Sequence, residues 1–119
     1  MRVLLVEDNP NARDVYSRLL ELDGHDVVAA DSAPAATAAI DARAFDVALI
    51  DIELGSVDGF AVLAHLRNQQ PGARAVMMTA YDVPDIARRN QADGFLAKPL
   101  AWSDVRAAIA PRPSERRAS

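Results

Sequence analysis

Val47-Ala48-Leu49-Ile50-Asp51 is an unbroken apolar run closed by a carboxylate, and its reading decides the fold. Four apolar residues without polar alternation predict a strand buried on both faces, as in a parallel sheet covered by helices. The carboxyl end of such a strand is where open α/β sheets bind ligands, which makes Asp51 a candidate site residue. Three other apolar runs also end in a polar group. Val3-Leu4-Leu5-Val6 leads into Glu7-Asp8, Ala75-Val76-Met77-Met78 into Thr79-Ala80, and Phe95-Leu96-Ala97 into Lys98-Pro99. Parallel strands would bring all of these polar groups to one edge.

Helical spacing fills the gaps between the strands. Asp8 or Asn9 is suited to cap a helix, and Pro10 fits its first turn. Ala12, Val15, Tyr16, Leu19, Leu20 and Leu22 supply its apolar positions, and Gly24 stops it. Asp26–Ala30 reads as a second strand. Ser32 and Pro34 open an alanine-rich helix running to about Arg43, since Ala is the best helix former and lets a helix pack close to a sheet. Residues Gly55 through Gly59 read as a loop before a helix with Phe60, Val62, Leu63 and Leu66 as its apolar positions, broken by Pro71-Gly72. A short helix near Asp85–Gln91 and a last helix near Ser103–Ala110 complete the series. Repeated strand–helix units of this length predict an α/β domain: a doubly wound, five-stranded parallel sheet with right-handed crossovers and helices on both faces.

Bulk composition sets bounds. The 119 residues suit one domain, expected over residues 1–110, with 111–119 as a disordered tail or the start of a linker. Half of the residues are hydrophobic and a quarter charged, as in ordinary globular proteins. The absence of Cys removes disulfide, thiolate and zinc-thiolate chemistry. No apolar stretch approaches the roughly 20 residues that span a bilayer. Met1-Arg2-Val3 is unlike a signal peptide, so a cytoplasmic location and no membrane partner are expected. A formal charge of −4 argues against direct, non-specific nucleic-acid binding.

Glu7, Asp8 and Asp51 would form a group of carboxylates whose repulsion calls for counter-charge. Lys98 supplies one positive charge, and a divalent metal would complete neutrality. Carboxylates are hard oxygen ligands that favour Mg²⁺ or Mn²⁺, and Mg²⁺ commonly binds a phosphate oxygen as well. With a hydroxyl from Thr79 and an ammonium from Lys98, the group suits an anionic phosphoryl ligand. An Asp carboxylate can carry that phosphoryl group as an acyl phosphate.

Glu7-Asp8, Asp51, Asp58-Gly59, Thr79-Ala80 and Lys98-Pro99, in this order on these elements, resemble the receiver domains of response regulators in two-component signalling. The resemblance covers Met1 to about Ala110, and single-domain chemotaxis regulators are its familiar form. It implies a flavodoxin-like (βα)5 fold with Asp51 as phosphoacceptor. Asp8, Asp51 and the backbone carbonyl of Glu53 would ligate Mg²⁺, and Glu7 would act through a water. Thr79 and Lys98 would bind the phosphoryl group. The Lys98–Pro99 peptide would be cis, an isomer that proline makes accessible. Phe95 would be the aromatic switch that turns inward as Thr79 moves.

Three departures accompany the resemblance. Gly55 replaces the usual Pro of the loop after the phosphoacceptor, which implies a more mobile loop. Only 19 positions separate Thr79 from Lys98, about one helical turn fewer than in the family, with Pro84 confined to the start of the fourth helix. Tyr81 and Glu53 stand at positions that tune water attack on the acyl phosphate, and their bulk and charge are expected to slow it.

The resemblance implies a histidine kinase or phosphotransfer protein as donor. It also implies a downstream protein target or a missing effector domain, and it leaves room for a homodimer. Two rival functions stand beside it. An Mg²⁺-dependent phosphohydrolase or nucleic-acid-cleaving domain using Glu7 and Asp51-x-Glu53 would leave Thr79 and Lys98 without roles. A degenerate receiver acting as a constitutive interaction module would be expected to lack an acid, the Thr or the Lys. Taken alone, Asp51 reads as a turn cap and Glu7-Asp8 as helix N-terminal charges. His25 reads as a post-turn residue, His65 as a surface helix residue, Met77-Met78 as sheet core, and Trp102 as packing on the sheet rim or, alternatively, as an anchor for a partner.

Overall fold

The computed structural model describes residues 1–55, 57–81 and 92–111. In chain order the elements are β1 (Arg2–Val6), α1 (Pro10–Leu22), β2 (Asp26–Ala30), α2 (Ala33–Ala42), β3 (Val47–Asp51), β4 (Glu53–Leu54), β5 (Val57–Asp58), α3 (Gly59–Gln69), β6 (Arg74–Thr79), β7 (Gly94–Ala97) and α4 (Trp102–Ile109). The helix expected near Asp85–Gln91, Pro84 with it, and the tail from residue 112 onward lie outside the described residues.

Five strands form one sheet in the order β2-β1-β3-β6-β7, and each neighbouring pair is parallel. The chain moves outward from β1 to β2, then returns past β1 to β3. The crevice between β1 and β3 is therefore the switch point at which open sheets bind ligands. Glu7-Asp8 and Asp51 flank it.

Uninterrupted apolar strands are needed because both faces of the sheet are covered. Leu4, Val6, Ala48, Ile50, Ala75 and Met77 pack with Ala36 and Ile40 of α2 and Val62, Leu63 and Leu66 of α3. Their strand neighbours Val3, Leu5, Val47, Leu49, Val76 and Met78 pack on the other face with Leu20 of α1 and Val105 and Ile109 of α4. The alternation of side chains along each strand thus feeds two cores at once.

Local chemistry sets the element ends. The Asn9 side chain accepts the Ala12 N–H at 3.0 Å, and Ser32 accepts the Ala35 N–H at 3.2 Å, capping α1 and α2. Gly24, with φ of +91°, closes α1 in a conformation that a Cβ disfavours.

Two expectations need correction. Val15 and Leu22 of α1 are 50% and 82% exposed, so helical spacing alone overstated the buried face, which narrows to Leu20 with Tyr16 beside it. The segment expected to be a loop from Gly55 to Gly59 holds more order. β4 and β5 pair antiparallel, and Gly59 already belongs to α3, whose cap Asp58 accepts the Phe60 N–H at 3.0 Å. Gly55 has φ of +70°, a conformation that the pyrrolidine ring of the Pro usual there cannot adopt.

Candidate functional site

β1, β3, β6 and β7 end on the same side of the sheet, and their terminal residues meet there. Glu7 has no exposed surface and Asp51 is 3% exposed, whereas Asp8 is open to solvent. One carboxylate oxygen from each of these three residues lies within 4.8 Å of the other two. The Lys98 ammonium donates to Glu7 Oε1 at 2.6 Å and to Asp51 Oδ2 at 2.7 Å. Lys98 follows directly from β7, where its N–H donates to the Thr79 carbonyl at 2.7 Å, and the Lys98–Pro99 peptide is cis.

Backbone groups hold the carboxylates from below. The Glu53 N–H donates to Asp51 Oδ1 at 2.9 Å, and the Asn9 N–H donates to Glu7 Oε2 at 3.3 Å. Arg13 donates to the Glu7 carbonyl at 3.1 Å and steadies the turn that presents the acidic pair. Sequence reasoning passed over Arg13; the available signal was a basic residue one helical turn after the Asn9 cap. It quoted Gly59 only as part of the Asp58-Gly59 pair and gave no packing reason for it, whereas a Cβ there would collide with the Asp51 carbonyl oxygen.

The electrostatics follow from burial. Burial pushes the Glu7 carboxyl above the ordinary carboxylate range, with Asp51 adding to the rise and the Lys98 hydrogen bond opposing it. Burial alone would depress Lys98. Its hydrogen bonds to Asp51 and Glu7 outweigh that effect and hold its pKa above the ordinary value, so Lys98 is a cation at neutral pH. Three carboxylates against one ammonium form a hard-oxygen donor set with surplus negative charge and one solvent-open member. That set fits a divalent Mg²⁺ or Mn²⁺.

The other expected residues surround this group. Thr79 is 3% exposed, and its hydroxyl donates to the Glu53 carboxylate at 3.2 Å. Phe95 is half-buried against the core on the α2–α3 face. The Tyr81 side chain is 69% exposed and stands outside the carboxylate group, while its N–H donates to Thr79 Oγ1 at 3.0 Å. His65 lies 2.7 Å from Asp41, and His25 lies at the α1–β2 turn, both remote in the fold from the acids. Trp102 stacks on Tyr16 with ring centroids 6.3 Å apart and donates to Asp23 at 2.9 Å.

Comparison with known proteins agrees with the fold. The family described as response regulator receiver domain matches residues 3–110. The alginate biosynthesis transcriptional regulatory protein AlgB of Pseudomonas aeruginosa is 36% identical over 112 residues, which are 92% of this chain and 25% of that protein. The sensor histidine kinase AruS of the same organism is 39% identical, over 92% of this chain and 12% of its own length. The chain therefore spans a quarter or less of these two relatives. A response regulator from Burkholderia pseudomallei, solved with a phosphorylated aspartic acid, a calcium ion and citrate, superposes with a TM-score of 0.86. It is 30% identical and covers 98% of this chain and 71% of that one.

Proposed function

Because the chain belongs to the response regulator receiver domain family of two-component signalling switches, we propose that Asp51 is the residue through which it switches. Asp51 accepts a phosphoryl group from a histidine kinase or phosphotransfer protein. The observation that carries this reading is the position of its carboxylate, buried at the end of β3 and held between the Lys98 ammonium and the Glu53 N–H.

A carboxylate oxygen of Asp51 attacks phosphorus, and the bond from phosphorus to the donor's imidazole nitrogen breaks. The bonding pair leaves with that nitrogen. Glu7, Asp8 and Asp51, with the Glu53 carbonyl, are the groups that would hold Mg²⁺, Glu7 contributing through water. When bound, the cation neutralises charge on the phosphoryl oxygens. Lys98, charged and already paired to Asp51, is in reach of the new anion. Thr79 donates its hydroxyl to a phosphoryl oxygen, and Phe95 turns inward behind it.

The altered charge biases a two-state element made of Thr79, Phe95 and their loops. Water later attacks phosphorus, the bond to the Asp51 oxygen breaks, and inorganic phosphate leaves. Glu53 and Tyr81 slow that attack. Residues 1–110 act as the receiver unit, in the cytoplasm, on a downstream protein or on an effector domain of a longer chain. The phosphohydrolase alternative gives no task to Lys98, whose contacts to Glu7 and Asp51 favour the receiver reading.

Incubation with acetyl phosphate and Mg²⁺ followed by intact mass tests the proposal. The wild type gains one base-labile phosphoryl adduct and Asp51→Asn gains none. An adduct that persists in Asp51→Asn sinks the assignment.

A further inference from the structure

The Glu53 side chain turns to β6 and away from the carboxylate group. The Thr79 hydroxyl donates to Glu53 Oε2 at 3.2 Å and more weakly to Oε1 at 3.4 Å, and the Ala80 N–H donates to Oε1 at 3.2 Å. The Thr79 oxygen in turn accepts the Tyr81 N–H. A hydroxyl has one hydrogen, so with Glu53 in place Thr79 has none to offer another acceptor. Glu53 is also tethered beside Asp51, because its own N–H holds Asp51 Oδ1. The side chain thus bridges the mouth of the site from the end of β3 to the end of β6.

We propose that Glu53 is an internal competitor, a positioning residue whose carboxylate occupies an anion seat made by the Thr79 hydroxyl and the Ala80 N–H. A phosphoryl group on Asp51 must displace it before it can take those donors. The inference rests on the phosphoacceptor role proposed for Asp51. Two anions cannot both take one hydroxyl hydrogen, and like charges brought to one pair of donors repel. A phosphoryl group wins once attached, because it brings more charge and three acceptor oxygens. Glu53 is partly exposed, so the displaced carboxylate can turn toward water. The device holds Thr79 in its resting arrangement until Asp51 is modified, and it raises the threshold for switching.

Beryllofluoride with Mg²⁺, a non-covalent phosphoryl surrogate, tests the seat by calorimetric titration of the wild type, Glu53→Ala, Thr79→Ala and the double variant. Glu53→Ala binds about tenfold tighter than wild type, the scale of one charge-assisted hydrogen bond. In the Thr79→Ala background the same substitution gains no more than about threefold, because the contested hydroxyl is gone. Glu53→Gln, which keeps the side chain's length, gains in the same direction by less. In the ligand-free protein the Ala80 amide proton moves upfield in Glu53→Ala. An equal gain in both backgrounds, no gain in either, or an unmoved Ala80 resonance overturns the seat. Failure of all four proteins to bind beryllofluoride overturns the Asp51 assignment itself, which keeps the two failures distinct.

Discussion

Gly59 lies so close to Asp51 that a Cβ at position 59 would collide with the Asp51 carbonyl oxygen and stand 2.9 Å from Ile50 Cγ2. The constraint is one of space, since the Gly59 N–H is already drawn onto the Ile52 carbonyl at 2.6 Å. Gly59→Ala therefore pushes the start of α3 away from the end of β3 and destabilises the fold by roughly 1–3 kcal/mol, the range for overpacked sites. Gly72→Ala meets nothing within 4 Å and leaves stability near wild type. Urea unfolding of both variants checks the contrast, and equal midpoints would refute it.

Glu7 links the site to pH. Its carboxyl pKa is raised, by burial first and by Asp51 next, so the folded state holds this proton more tightly than the unfolded chain does. Stability from this group is present below the unfolded value of 4.5 and falls as pH rises through the higher folded value. Glu7→Gln removes that part of the slope and raises the melting temperature of the metal-free protein at pH 7 by a few degrees. Thermal scans from pH 4 to 8 in chelator give the answer; parallel curves for the two proteins would count against it.

The Val47–Ile50 run was legible because a strand covered on both faces has no reason to alternate, and the two cores bear this out. The edge at which Glu7, Asp8, Asp51 and Lys98 gather was legible for a related reason. Once strands are parallel, their carboxyl ends share a side. What stayed hidden depends on distances between elements far apart in sequence. Spacing could not say that Val15 and Leu22 point to solvent, because their exposure depends on where the sheet ends beneath α1. It could not show the contact of Gly59 with the β3 backbone, or the reach of Glu53 to Thr79. The β4–β5 pair escaped notice because two-residue strands carry no period.

Asp23 fastens α1 to α4. Arg106 donates to both of its oxygens at 2.9 Å, and the Trp102 ring N–H donates to Oδ2 at 2.9 Å. The Arg106 guanidinium first, and Trp102 second, hold the Asp23 carboxyl below its ordinary 3.8. A depressed acid contributes stability that is present above the unfolded value and lost as pH falls through the folded one. Trp102 is the single Trp of the chain, so its emission reports this contact. Below pH 3.8 the wild-type emission shifts as the contact breaks, and Asp23→Asn removes that component. An unchanged acid limb in Asp23→Asn would count against the clamp.

Lys98 faces Glu7 and Asp51, whose side chains are 1% and 4% exposed, and no other cation is hydrogen-bonded to either carboxylate among the described residues. Lys98→Ala leaves both buried acids without a counter-cation, a class of change that costs roughly 3–5 kcal/mol at neutral pH. The loss shrinks toward acid pH, because Glu7 then takes up its proton more readily and one of the two charges disappears. Mg²⁺ should also act more strongly on the variant. With the ammonium gone, a divalent ion meets the full charge of Glu7, Asp8 and Asp51, so the rise in melting temperature on adding it exceeds the wild-type rise. Differential scanning calorimetry with and without Mg²⁺ measures both increments. Equal increments would mean that Lys98 and the cation do not answer the same charge, and the site would then need a different account of how its three carboxylates coexist.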